Sequence, residues 1–124
     1  MRFSAIILGA LSATSVFANT PYVCNDDKAV PYAAGVAVQT AIVEKFASFG
    51  AAGYDLNQNK YQLCIDGKDL PGTNGHRSFA CVCTRGNKVP ITAAMVQSAY
   101  GQILSGCTGK AGTILIDNVQ YGLY

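Results

Sequence analysis

Asp69, His76 and Arg77 fall within one short stretch, and they are the residue types from which small secreted ribonucleases build their sites. Cleaving a phosphodiester takes two proton-transfer groups held beside the same phosphate, with a cation to steady its oxygens. The chain has one histidine. That histidine stands between Gly75 and Arg77, in a segment that Gly67, Pro71 and Gly72 mark as a loop. A catalytic pair needs rigid support, so His76 is expected to be a solvated loop residue, with no catalytic residue in the chain and no enzymatic activity. Cys81-Val82-Cys83 is the second constellation. Two nearby thiolates can hold a metal or cycle as a dithiol, but zinc sites favour two to four intervening residues and redox dithiols two. Positions i and i+2 of a strand instead put both sulfurs on one sheet face, each aimed at another element. Disulfide use is the expectation, with no metal and no cofactor. No Gly-x-Ser-x-Gly elbow, phosphate loop or His-Glu-x-x-His occurs.

The elements that must position these residues follow from periodicity and punctuation. Residues 21–24 form a short β-prone run that closes on the turn-like Asn25-Asp26-Asp27. From 31 to 49, Val38, Ile42, Phe46 and Phe49 recur at helical spacing, with Pro31 suited to the first turn and Gly50 to a stop. Residues 61–65 alternate as a strand closed by Asp66-Gly67, and 78–84 form another that carries both cysteines. A second helix spans 92–105, with Thr92 as N-cap, Val96, Ala99, Tyr100 and Ile103 on one face, and Gly106 at the end. Residues 113–117 make a fourth strand, and 119–124 are a tail that extends it. The expected class is α+β, with order β-α-β-β-α-β: a two-layer sandwich with two helices on one face of a four-stranded antiparallel sheet, stapled by disulfides.

Residues 1–18 combine Arg2, an apolar run from Ala5 to Leu11 and the small-residue end Val16-Phe17-Ala18. This is the pattern of a secretory signal peptide cleaved after Ala18, leaving 19–124 as one secreted domain. The apolar stretch contains Ser12, Thr14 and Ser15 and falls short of the ~20 residues a bilayer requires, so membrane insertion is not expected. All five cysteines lie beyond it, in a chain bound for an oxidising compartment. Five is odd, so two internal bridges leave one cysteine over. Cys64, Cys81, Cys83 and Cys107 lie on or next to elements this fold brings together and are the candidates for the bridges. Cys24, on a short first strand near the mature terminus, is then the spare one that contacts or covalently joins another secreted protein. The competing reading pairs Cys24 with Cys81 or Cys83 and leaves Cys64 or Cys107 over. Apolar and tyrosine side chains on the helix-free sheet face and in the tail, such as Tyr121 and Tyr124, would supply the rest of a partner contact.

Composition narrows the partners further. Of 124 residues 50% are hydrophobic and 13% charged, and the formal net charge is +2. A nucleic-acid binder would advertise a clustered excess of Lys and Arg, which this chain lacks. Aromatic residues make up 10% with no tryptophan, so no stacking platform for sugars or bases is offered.

A signal peptide, a short mature chain, an odd cysteine set containing Cys81-Val82-Cys83, and the helix Val89-Pro90-Ile91-Thr92-Ala93-Ala94-Met95-Val96-Gln97-Ser98-Ala99-Tyr100-Gly101-Gln102-Ile103-Leu104 occur together here. In that pattern the chain resembles the Secreted-in-Xylem five family of fungal plant-pathogen effectors. The resemblance covers most of the mature chain. It implies a fold like that of the viral killer toxin six of smut fungi, a two-helix, four-stranded sandwich. It also implies non-enzymatic virulence: delivery into the host apoplast or xylem and on into plant cytoplasm, and pairing with a second small secreted effector. The pair would help that partner move between cells through plasmodesmata, and a host protein or immune receptor would sense it. The family brings no catalytic residues. The alternative is a killer-toxin-like or ribonuclease-like protein that acts alone.

Overall fold

A computed structural model describes residues 22–56, 61–84 and 90–124; the expected signal peptide and the turn at 85–87 lie outside the described residues. The elements run β1 (Tyr22–Ala29), α1 (Tyr32–Ala47), β2 (Gln62–Asp66), β3 (Phe79–Thr84), α2 (Ala93–Gly106), β4 (Lys110–Ile116) and β5 (Val119–Leu123). All sheet pairings are antiparallel, in the order β1-β4-β5-β3-β2. The α+β class and the two helices on one face are as the sequence leads one to expect. The sheet has five strands rather than four.

The extra strand is the supposed tail. Asp117 and Asn118 both adopt positive φ, 51° and 64°, the backbone of a two-residue type I′ turn whose twist matches that of a β-hairpin. The chain therefore reverses after β4 and lays β5 down the middle of the sheet, with Ile114 opposite Tyr121 on one side and Val82 opposite Tyr121 on the other. The other correction concerns β1. Asn25-Asp26-Asp27 is not a turn, because the strand continues through it to Ala29, with a register shift against β4 between Asn25 and Ala29.

Both helices obey their apolar spacing. On α1, Ala34, Val38, Ile42 and Phe46 are buried, one every four residues, and Gly50 ends the segment at φ 89°, a conformation that side chains with a Cβ resist. Pro31 stands one residue before the helix as its N-cap. On α2, Thr92 Oγ1 accepts the Met95 backbone N–H at 3.3 Å, which satisfies one of the donors that a helix start leaves open. Val96, Ala99, Tyr100 and Ile103 all point inward. The core lies between these helices and one sheet face, where Leu63, Val82, Tyr121 and Ile114 make a continuous row across four strands.

Candidate interaction face

Because the side-chain period of a strand is two, the registers assign every strand residue to the helix-covered face or the bare face. Gly112 identifies the covered one. A Cβ built there would meet Cys107 Sγ at 2.7 Å and Ile103 Cγ2 at 3.3 Å, both belonging to the α2 end. Cys24, opposite Gly112, therefore also faces α2, and it forms a disulfide with Cys107 across a Cα separation of 5.4 Å. Gly112 is the residue that leaves room for this bridge.

The expectation that Cys24 is the spare cysteine is thus overturned, and so is its competing pairing with Cys81 or Cys83. The second bridge joins Cys64 to Cys81, which stand directly opposite each other on β2 and β3. Cys83, expected in an internal bridge, belongs to neither. Its thiol donates to Gln62 Oε1 at 3.3 Å, while Gln62 Nε2 donates to Cys64 Sγ at 2.9 Å. As the i, i+2 argument requires, Cys81 and Cys83 share a face. It is the bare one.

Two rows cross that face. Cys64, Cys81, Gly122, Thr113 and Val23 form one, and Gln62, Cys83, Gln120 and Leu115 the next. Val23 is 66% exposed and Leu115 54%. Tyr124 continues the β5 side of the face; its backbone exchanges both hydrogen bonds with Phe79, at 2.8 Å each, and its ring covers the space a Cβ on Gly122 would take. Val23, Leu115 and Tyr124 therefore surround Thr113 and Gly122 with apolar surface on which no helix packs. Tyr124 was expected here. Tyr121 was expected to be exposed too, but it is 1% exposed on the covered face, because β5 is a central strand and its odd and even positions part between core and solvent. The sequence reading missed Val23 and Leu115, because each sits in an unbroken apolar run, Tyr22-Val23-Cys24 and Ile114-Leu115-Ile116, where hydropathy does not tell the two sides of a strand apart.

One corner of the bare face is charged. Arg77 forms an ion pair with Asp66 at 3.0 Å and lies over the Phe79 ring, 5.2 Å from its centroid. The Lys68 backbone N–H donates to Asp66 at 2.9 Å; that bond is the largest influence and holds the Asp66 carboxyl below its usual range, burial opposes it, and Arg77 adds to the lowering. Arg77 thus turns to Asp66, and among the described residues no hydrogen bond or ion pair joins Asp69 to His76 or Arg77. His76 is half-buried; its Nδ1 faces the protein interior without a partner, and its backbone N–H donates to Thr73 O. Among the described residues no group of three His, Cys, Asp or Glu side chains is gathered to hold a metal.

The covered face carries the buried tyrosines. Tyr100 sends its hydroxyl from α2 into the sheet, 2.8 Å from Gly122 O and 3.0 Å from Cys81 O. Burial pushes its phenol well above the usual tyrosine range, and burial with a contribution from Asp117 pushes Tyr121 up to about 12.

No family model and no curated protein matches this chain. Among solved structures it is similar to the tandem DUF26 ectodomain of the Arabidopsis thaliana cysteine-rich receptor-like protein PDLP5, at 17% identity and TM-score 0.50, over 83% of this chain and 48% of that one. The tandem DUF26 ectodomain of Arabidopsis thaliana PDLP8 aligns at 8% identity and TM-score 0.48, over 83% of this chain and 46% of that one. The chain spans about half the length of each ectodomain, and at 17% identity the likeness to the PDLP5 ectodomain is one of fold alone. Two disulfides fit a protein that folds in an oxidising compartment, and among the described residues no helix is long and apolar enough to cross a membrane.

Proposed function

We propose that this chain is a secreted fungal virulence effector without enzymatic activity, which pairs with a second small secreted effector. In this reading the pair forms in the host apoplast or xylem, and this chain promotes its partner's passage between plant cells through plasmodesmata. The observation that carries the reading is the bare sheet face. A two-layer domain buries one side of its sheet under helices, and here the other side presents Val23, Leu115 and Tyr124 to solvent, the kind of apolar surface that marks a protein contact. The resemblance to Secreted-in-Xylem five effectors supplies the kind of partner. The two disulfides suit work outside the cell.

The test uses single epidermal cells of a leaf. Each small secreted protein encoded beside this chain's gene is fused to a fluorescent protein and expressed with the wild-type chain, with a Val23→Asp, Leu115→Asp double variant, or alone. One fusion is expected to spread into more neighbouring cells with the wild-type chain, and to bind it in a two-protein pull-down, while the double variant does neither and keeps its circular dichroism. Equal spreading in all three conditions overturns the proposal. RNA cleavage by the purified chain that is lost in His76→Ala would overturn its non-enzymatic part.

A further inference from the structure

Between the first turns of α2 and the β4–β5 turn lies a groove of about 310 Å³, lined by Ala94, Met95, Ser98, Ile116, Asp117 and Tyr121. That is the small end of the range for binding pockets, room for one long side chain. Tyr121 is its floor. The ring is buried edge-on against Tyr100, with centroids 6.2 Å apart. The two phenols differ at their tips. Tyr100 has two backbone carbonyls for its hydroxyl, whereas the Tyr121 hydroxyl has no hydrogen-bond partner among the described residues and borders the groove. The ring is buried while the hydroxyl tip is open to the solvent of the groove, so the groove is the side from which a ligand reaches it.

The second polar group is the Asp117 carboxylate, exposed on the turn and in no ion pair among the described residues. Its charge adds to burial in keeping Tyr121 protonated up to about pH 12, so the phenol oxygen is neutral and can accept a hydrogen bond as well as donate one. The other walls, Ala94, Met95 and Ile116, are apolar. An anion would be repelled by Asp117, and a purely apolar group would displace water from the Tyr121 hydroxyl without replacing its hydrogen bond. A guanidinium is a planar fork suited to two parallel acceptors of one group, while an ammonium is compact and has three donors it can rotate toward separate oxygens.

We propose that this groove binds the side chain of a lysine presented by a partner protein. The methylene stem lies along Met95 and Ile116, and the ammonium donates to the Tyr121 hydroxyl oxygen and the Asp117 carboxylate. The inference rests on the paired-effector reading only for who carries the lysine; the groove itself is measured on the isolated mature chain. Three blocked tripeptides, Ac-Gly-X-Gly-NH2 with X lysine, arginine or norleucine, are titrated into isotope-labelled protein and followed by NMR. The lysine peptide is expected to give saturable shifts at Ala94, Met95, Ile116 and Asp117. The norleucine peptide, which keeps the stem and lacks the ammonium, should bind at least about tenfold more weakly, as should the lysine peptide on Asp117→Asn or Tyr121→Phe, two near-isosteric changes. No saturable shift, equal binding of norleucine, tighter binding of arginine, or unchanged lysine affinity in both variants overturns the proposal. Failure here leaves the paired-effector reading standing, and absence of partner movement in leaf cells leaves the lysine groove standing.

Discussion

The two faces of the sheet are built from the same strands, residue by residue in alternation, yet they use tyrosine, glycine and cysteine for different ends. On the covered face Cys24–Cys107 ties a strand to a helix, joining two layers and spanning 83 residues of sequence. On the bare face Cys64–Cys81 ties two strands already paired to each other, 17 residues apart. Tyr100 and Tyr121 are buried on the first face, and Tyr124 lies over a glycine on the second. The covered face holds the layers together, and the bare face exposes Val23 and Leu115 to solvent.

The sharpest way to break that division uses neighbours on β4. Ile114 is 1% exposed and Leu115 54%. Ile114→Asp buries an unpaired carboxylate in the row shared with Tyr121 and should cost at least about 4 kcal/mol, enough to unfold a domain of this size at room temperature. Leu115→Asp should change stability by less than about 0.5 kcal/mol. Urea titrations of both proteins decide it, and two similar midpoints would mean that the bare face is part of the core.

The bridges come next. If disulfides act mainly by shortening the unfolded chain, the Cys24→Ser, Cys107→Ser pair should cost ~4.5 kcal/mol and the Cys64→Ser, Cys81→Ser pair ~3 kcal/mol, because the first closes a much longer loop. The first pair should also release β1, seen as faster amide exchange at Tyr22 to Asn25, while the second leaves the β2–β3 ladder in place. Equal losses of stability would show that local strand geometry outweighs loop length.

How much of this was legible depends on whether a feature is local. The stripes on α1 and α2 and the Thr92 cap are set by spacing within a turn or two, and they read directly. Only the start of β1 did, because an edge strand exposed along nearly its whole length shows no alternation and its Asn-Asp-Asp looks like a turn. The fifth strand was hidden behind Asp117-Asn118, a weaker hairpin signal than one ending in glycine. With β5 taken for a tail, Tyr121 was assigned to solvent. That Cys81 and Cys83 share a face followed from a two-residue period, whereas which face it is, and the partners of Cys24 and Cys81, depend on how the strands and helices come together, and that is fixed only by the whole fold.

Tyr100 tests the covered face more gently. In Tyr100→Phe the ring remains and the two carbonyls keep their sheet partners, so only the added hydrogen bond is lost. The expected cost is about 1 kcal/mol, read as a lower denaturation midpoint at an unchanged slope. A cost near 3 kcal/mol would mean that the hydroxyl holds β3 and β5 in register rather than merely capping them.

The smallest effect separates the faces by pH. Asp66 has its carboxyl held below the ordinary range, chiefly by the Lys68 N–H and then by Arg77. The folded state therefore favours the carboxylate: the gain is complete above the unfolded-state value near 3.8 and is lost as pH falls through the lower folded-state one. The buried phenols have the opposite sign. Their folded-state values lie above the usual 10, so their stabilisation is complete below pH 10 and is lost as pH rises beyond it. Acid should thus loosen the bare-face corner and alkali the covered face. Thermal midpoints measured below pH 4 should fall less steeply in Asp66→Asn than in the wild type. The difference should shrink in high salt, since Asp66 and Arg77 are both open to solvent. Above pH 10 the two proteins should fall together, and Tyr100→Phe and Tyr121→Phe should each flatten that limb. An Asp66→Asn curve parallel to the wild type through the acid range would mean that the Asp66–Arg77–Lys68 corner is equally well satisfied in the unfolded chain, and that the bare face carries no acid-sensitive hold on the fold.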